Sequence, residues 1–293
     1  MNALAPSEFI LNEDDSIYHL HLRPEQIAPI IITVGDPERV SEVTKYFEEI
    51  EFTVHNREFK TQTGTYNSKR ITVISTGIGT DNIDIVFNEL DALVNIDFNT
   101  KKIKKELTSL KIIRIGTSGA VQPSIAIDSF ILSGKAIGFD ALYHYYDKAE
   151  PAGDSFHEAL LSHLDLPADF ASPYVIDADQ ELASVFMKDD TFIKGITATN
   201  VGFYGPQGRV LRLRLREKDL MSKLSFFDHH GKQITNLEME TSGIYAMSKL
   251  LGHKAISLNA ILANRSNGSF SQTPLETVDL LIQKTLTLIA SSF

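Results

Sequence analysis

The sequence predicts an α/β fold, a single-domain three-layer α/β/α arrangement around a mixed central sheet, on three observations. Short apolar runs alternate with segments of helical spacing along most of the chain. No internal repeat, low-complexity tract or composition break marks a linker. The 293 residues are 43% hydrophobic and 23% charged, enough to build a substantial core. The only boundary expected is a polar N-terminal extension over residues 1–16, ahead of one domain over residues 17–293.

The elements follow in order. Ile30–Val34 is a continuous apolar run and reads as a buried strand; Gly35-Asp36-Pro37 follows, with Asp36 able to cap a helix and Pro37 in its first turn. Val40, Val43 and Phe47 continue with helical spacing. Residues 52–55, 59–65 and 71–75 read as strands separated by polar turns. Ile83, Val86, Leu90 and Leu93 space as one helix face. Further strands are expected at 111–115, 129–132, 192–198, 234–238 and 255–262, with helices at 241–251 and 275–290.

Composition removes several function classes. Without cysteine there is no disulfide, no Cys-ligated zinc and no thiolate nucleophile. With 28 Lys and Arg against 38 Asp and Glu, a net charge of -10, a broad grip on nucleic acid or anionic lipid is not expected, and any anion must meet local arginines. The lysines at 101–105 read as a solvated face. No apolar run approaches the roughly 20 residues of a membrane helix, and the start lacks the basic and apolar regions of a secretion signal, so a cytoplasmic protein is expected.

In such folds ligands sit on the turns beyond strand ends. Gly35-Asp36-Pro37-Glu38-Arg39 offers free N–H groups at a helix start and an arginine on its first turn, a fit for phosphate oxygens, although from this motif alone a capped helix with a solvated Arg39 is the favoured reading. Arg114-Ile115-Gly116-Thr117-Ser118-Gly119 ends an apolar strand in what reads as a small-residue loop; a guanidinium there needs a partner, either an anion or a carboxylate. Arg57, in His55-Asn56-Arg57-Glu58-Phe59, could equally form a surface ion pair.

Gly77-Ile78-Gly79 begins like a dinucleotide fingerprint but reaches Asn82 where the third glycine would stand, and no Walker lysine occurs. His229 and His230 are adjacent, so on a strand their rings would point apart, a poor metal pair.

Phe203-Tyr204-Gly205-Pro206-Gln207-Gly208-Arg209 combines aromatic surface with an amide and a guanidinium two residues apart, which face one side if the chain is extended. A pyrimidine edge shows an N–H flanked by carbonyls, which that pair can read; an exposed polar turn is the plainer alternative. Glu238-Met239-Glu240 closes a strand with two carboxylates on one face, suited to a vicinal diol or, failing that, to solvent.

Taken together, the order and spacing of these motifs resemble the nucleoside phosphorylase family, most closely the uridine phosphorylases within it, from about residue 18 to the C-terminal helix. The resemblance implies that Gly35, Arg39, Arg114 and Thr117 bind phosphate, with Arg57 reaching in from a neighbouring subunit. His19, also lent by the neighbour, would touch the ribose 5′-hydroxyl. Gln207 and Arg209 would read uracil with Phe203 packed on the nucleoside, Glu238, Met239 and Glu240 would bracket the sugar, and Arg265 would stand near the base. Arg209, Gln207, Glu240 and Arg114 would carry catalysis.

Purine-cleaving relatives lack the Gln-x-Arg pair, which favours a pyrimidine. Inorganic phosphate is then the co-substrate, no metal or organic cofactor takes part in the chemistry, and the borrowed residues imply a homo-oligomer of at least two subunits, in this family usually six. The family also places a monovalent cation, such as K+, at the subunit interface beside the glutamate matching Glu58; Asn82 stands where it has a serine, and Gly208 replaces a common glutamate. The segments at 95–105 and 145–173 are longer than the family pattern. A nucleoside hydrolase of the same fold, which has no need of three arginines around an anion, a non-catalytic nucleoside or sugar-phosphate binder, and more distantly a dehydrogenase are the rival readings.

Overall fold

The computed structural model describes residues 3–147 and 154–293. Its framework is one mixed sheet that partly closes on itself. Four strands form an open wing: β1 (Ile30–Val34), β2 (Glu49–Asn56), β3 (Phe59–Tyr66) and β4 (Lys69–Ser75). β1 runs parallel to β4, and β4, β3 and β2 continue antiparallel to one another. The other edge of β1 joins β5 (Lys111–Ala120), also in parallel.

From β5 the sheet curls into a ring. β6 (Phe130–Gly138), β8 (Phe192–Thr199), β9 (Asn236–Glu238) and β10 (Lys254–Asn264) complete it, β7 (Tyr174–Asp177) pairs outside β6, and β11 (Ser269–Phe270) outside β10. Around the ring β5 pairs β10 in parallel, β10 pairs β6 antiparallel, β6 and β8 then β8 and β9 are parallel, and β9 returns antiparallel to β5. The mixed central sheet expected from sequence is therefore present, and its closure is the detail that periodicity could not reveal.

Helices cover the sheet. α1 (Pro37–Thr44) starts as expected, Asp36 accepting the Glu38 N–H at 2.9 Å with Pro37 in the first turn. α2 (Thr80–Asn95) buries the predicted stripe of Ile83, Val86, Leu90 and Leu93. α3 (Ser155–Leu164), α4 (Gln180–Phe186) and α5 (Leu220–Phe226), short amphipathic helices, were not foreseen. α6 (Thr241–Leu251) lies between α2 and the ring and is buried along nearly its whole length, and α7 (Pro274–Ser292) packs Leu281, Ile282, Leu286 and Ile289 inward. Among the described residues no helix is long and apolar enough to cross a membrane.

Two expectations need correction. β5 does not end at 115; it runs to Ala120 because the backbone of residues 116–120 is paired with β10 and β9, so the presumed small-residue loop is strand. The His229 and His230 rings do not point apart. They stand 4.4 Å between centroids, since His230 takes φ +55° in a tight hairpin, but no group of three or more possible metal ligands gathers there or elsewhere among the described residues. Of the longer segment at 145–173, residues 148–153 lie outside the described residues.

The other longer segment has a visible packing role. Residues 96–97 and 102–103 pair as a small ribbon, Leu4 N–H donates to Lys101 C=O at 2.8 Å, and Phe9, 4% exposed, meets Phe98 edge-on at 5.0 Å. Phe9→Ala is expected to lower stability by about 3 kcal/mol in urea unfolding, in line with loss of a buried aromatic; a change near zero would show that residues 3–16 contribute nothing to the core.

Candidate functional site

A cavity of about 780 Å³ opens where the wing meets the ring, in the size range of small-molecule sites. Its walls come from strand ends and the turns that follow. One end holds Gly35, Arg39, Arg114 and Thr117; the floor holds Glu238, Met239 and Glu240; the far end holds Phe203, Gln207 and Arg209 with Leu262, Ala263 and Phe270. Motifs separated by as many as 205 positions, from Gly35 to Glu240, thus share one space.

Arg114 is the centre of the first end. It is 5% exposed, and its guanidinium lies over Gly116, where a Cβ would come within 1.7 Å of Nη1. Nη2 donates to Glu240 Oε2 at 2.6 Å and stands 3.1 Å from Glu238 Oε2, while Nη1 donates to Asn259 Oδ1 at 2.8 Å. Burial alone would lower its pKa, but Glu238 and Glu240 more than offset this and hold it above the ordinary value. Arg114 therefore has a carboxylate partner, as one reading of the sequence required, and the partners are the site's own acids. Arg39 is half-buried on the first turn of α1, its pKa pushed down first by burial and then by Arg114 nearby. Two guanidiniums facing one space repel each other, and an anion between them relieves both penalties.

The two carboxylates are fixed from several sides. β9 ends at Glu238, and Glu240 is the residue before α6, so they do not share a strand face; the chain turn still brings both to Arg114. Glu238 accepts from Thr199 Oγ1 at 2.6 Å and from the N–H groups of Glu240 and Thr241. These are donors at a helix start, where a carboxylate is favoured. Glu240 Oε1 accepts from Gly79 N–H at 2.9 Å, and its carboxyl is held above its ordinary pKa by burial and by Glu238, against the pull of Arg114. Gly79 at φ +98° and Gly77 at φ +71° shape this turn; a Cβ on Gly77 would meet Asn82 Nδ2 at 2.3 Å. Asn82 and Glu58 also line the cavity, at its rim beside Gly77.

At the far end the chain is not extended. Residues 205–207 make a 3-10 turn and Gly208 is left-handed at φ +70°, yet this fold-back still brings Arg209 Nη1 to Gln207 Oε1 at 2.5 Å and to Phe203 C=O at 2.6 Å. The Phe203 ring lies 3.7 Å from the Arg209 guanidinium carbon. Gln207 is buried, its Oε1 accepting from Arg209, and Phe203 is half exposed at the mouth. Arg265 stands next to this end; its pKa and that of Arg209 are pushed down by burial, and Arg209's also by Arg265. Arg265 Nη1 is buried with no hydrogen-bond partner among the described residues. Two cations with neutral surroundings make this end selective for a group rich in acceptor oxygens.

His19 and Arg57 do not line the cavity. His19 Nδ1 lies 2.6 Å from Glu89 Oε1, its carbonyl accepts from Asn56 Nδ2 at 2.8 Å, and Arg57, exposed at φ +54°, packs 5.8 Å from the Tyr18 ring. Both touch Tyr18, His19 half-buried against Glu89 and Arg57 exposed.

Sequence reasoning missed Thr199, Asn259 and Gly79. Asn259 had a readable signal, since Ser257 and Asn259 alternate as polar residues on one face of an otherwise apolar strand.

Arg114→Leu leaves Glu240 buried without its cation. A carboxyl whose folded pKa is raised above the unfolded value stabilises the fold at low pH and loses that contribution as pH rises through the folded pKa. Urea unfolding of this variant is therefore expected to show stability falling, as pH rises above the ordinary carboxylate range, more steeply than in the parent protein; parallel profiles would contradict the pairing.

The architecture agrees with comparisons to known proteins. A family model described as the phosphorylase superfamily matches residues 29–291. A uridine phosphorylase from Thermococcus kodakarensis is 26% identical over 287 residues, covering 95% of this chain and 88% of its own. One from Haemophilus influenzae is 27% identical over 290 residues, covering 94% and 99%. The solved Trypanosoma brucei nucleoside phosphorylase, reported to show uridine phosphorylase activity, superposes with a TM-score of 0.85 at 27% identity over 96% of this chain and 98% of that one. With the family model matching residues 29–291, nearly the whole chain, the protein belongs to the phosphorylase superfamily.

Proposed function

We propose that this nucleoside phosphorylase, a pentosyltransferase, is specific for a pyrimidine nucleoside and converts uridine and inorganic phosphate reversibly to uracil and ribose 1-phosphate. The observation that carries the pyrimidine reading is the Gln207–Arg209 pair, held at 2.5 Å and backed by Arg265, with no acid among the residues lining that end of the cavity.

In the reaction the C1′–N1 bond breaks while a phosphate oxygen forms a bond to C1′ from the opposite face. The bonding electrons leave with the base. Positive charge develops at C1′ and the ring oxygen, and negative charge spreads onto the uracil carbonyls. Arg209 and Gln207 stabilise the departing negative charge as donors to those oxygens. Glu238 and Glu240 hold the ribose hydroxyls and face the developing positive charge, and Met239 packs beside the sugar. Gly35, Arg39, Arg114 and Thr117 hold the phosphate in line, which converts a collision into a positioned attack. Phe203 closes over the nucleoside.

His19 and Arg57 enter the scheme through a second copy of the chain. Both lie on Tyr18 outside the chain's own cavity, with Arg57 exposed, and this supports delivery into a neighbour's cavity, Arg57 to phosphate and His19 to the 5′-hydroxyl, which makes a homo-oligomer, at least a dimer, the working unit. A K+ ion beside Glu58 at such an interface would order the contact without entering the chemistry.

The deciding measurement is uracil and ribose 1-phosphate release from uridine with and without inorganic phosphate, with thymidine and inosine in parallel. Release only with phosphate, fastest from a pyrimidine nucleoside, is expected; phosphate-independent release would make the chain a hydrolase, and preference for inosine would overturn the base assignment. Gln207→Ala is expected to lose base discrimination, reducing uridine turnover at least about a hundredfold while phosphate binding persists.

Sharing of residues has its own test. Arg57→Ala and Arg114→Ala should each be nearly inactive, yet after the two are unfolded and refolded together about a quarter of the sites in random dimers hold both arginines. Recovery of activity on mixing is expected; none would place Arg57 outside the neighbour's site.

A further inference from the structure

We propose that Asn259 is a positioning residue for phosphate, holding the Arg114 guanidinium through a directed hydrogen-bond relay that fills the closed strand ring. The inference rests on the reading of Arg114 as a phosphate ligand.

The relay can be followed atom by atom. Asn259 Oδ1 accepts from Arg114 Nη1 at 2.8 Å, and its Nδ2 donates to Ser133 Oγ at 3.1 Å and Ser257 Oγ at 3.2 Å. Ser133 Oγ lies 2.6 Å from Thr197 Oγ1, Thr197 Oγ1 donates to Asn236 Oδ1 at 2.9 Å, and Asn236 Nδ2 donates to Ser118 Oγ at 2.9 Å. Asn259, Ser133, Thr197, Ser257 and Asn236 are all fully buried.

Direction follows from donor counting. A threonine hydroxyl has one hydrogen, and Thr197 spends it on Asn236, so Ser133 must donate to Thr197. Ser133 then has only acceptor capacity toward Asn259, which fixes the Asn259 amide with Nδ2 toward the serines and Oδ1 toward Arg114. Flipping that amide would set N–H against guanidinium N–H and leave buried donors unpaired, a costly state. Glu240 restrains Nη2, Asn259 restrains Nη1, and Gly116 below leaves the plane of the guanidinium settled. Both ends of the relay, Arg114 and Ser118, line the cavity, and because Ser118 Oγ accepts from Asn236 its own hydrogen is left for a ligand.

Among the described residues no carboxylate performs this duty on the Nη1 side. A neutral acceptor orients the arginine without adding to the negative charge of Glu238 and Glu240, so the guanidinium keeps its attraction for an incoming anion.

The test compares Asn259→Leu, Asn259→Asp and Thr197→Val with the parent protein, measuring the Kd of inorganic phosphate by titration calorimetry and the KM of phosphate and of uridine separately. Asn259→Leu is expected to weaken phosphate about tenfold in both Kd and KM while changing the uridine KM less than about twofold. Asn259→Asp keeps an acceptor for Arg114 but sets a carboxylate oxygen against Ser133 Oγ, whose hydrogen is committed to Thr197, and adds negative charge beside Glu238 and Glu240, so it should weaken phosphate at least as much as Asn259→Leu. Thr197→Val, which cuts the relay one step away, should shift phosphate in the same direction by less, and decides the matter if Asn259→Leu does not fold. Phosphate binding unchanged in a folded variant, or phosphate and uridine weakened alike, would overturn the proposal. A parent protein that binds no phosphate would instead remove the functional reading beneath it.

Discussion

A guanidinium buried at the end of a strand is the constraint around which the molecule is organised. Arg114 is almost wholly out of water, and an unpaired charge there would cost several kcal/mol. Its partners come from three places, Glu238 at the end of β9, Glu240 at the start of α6 and Asn259 in the middle of β10. They converge only because β9 and β10 both pair with β5, the strand that carries Arg114. Ring closure and charge compensation are thus one requirement. The carboxylates are in turn tied by Thr199, by the first N–H groups of α6 and by the Gly79 N–H, so a shift of any of these segments uncovers a buried charge.

That arrangement also explains how an acidic chain can hold an anion. With a net charge of -10 the long-range field opposes phosphate. Arg39, Arg114 and Arg209 nevertheless line the cavity and Arg265 stands beside it, against the carboxylates of Asp36, Glu238, Glu240 and the rim Glu58. Inside a partly desolvated space nearby charges outweigh the distant surface. The depressed pKa directions of Arg39, Arg209 and Arg265 show charged groups held short of full compensation, a state that a bound anion or an electron-rich base relieves.

Much of this was legible beforehand, and the limits have physical reasons. β1, the stripe on α2 and α6 were readable because burial on one face leaves a period in the sequence, and Asp36-Pro37 because caps are local chemistry. The extent of β5 was not, since Gly116 to Ala120 carry no strand propensity and are extended only through pairing partners more than a hundred positions away. Gln207 and Arg209 would face one side on an extended chain; the segment instead turns, as the plainer reading had it, and left-handed Gly208 brings the two together with Gln207 buried. The convergence of Gly35, Arg114, Gln207 and Glu240 is a tertiary fact that local pattern cannot supply, and it was the ordered set of motifs that pointed to it.

The interior of the strand ring bears on why the chain spends polar residues in its core. Ser133, Thr197, Asn236, Ser257 and Asn259 occupy inward positions where aliphatic side chains would pack without any hydrogen-bond accounting. Polar cores of this kind are rarely more stable than well-packed apolar ones, and each hydroxyl or amide left unmatched is a liability. What they provide is orientation, because a saturated network of fixed donor direction admits one arrangement of the group at its end. Here that group is Arg114. The polar filling is therefore explained by the demands of one charged side chain at the cavity, and the stability of the fold rests on the apolar layers between the sheet and the helices.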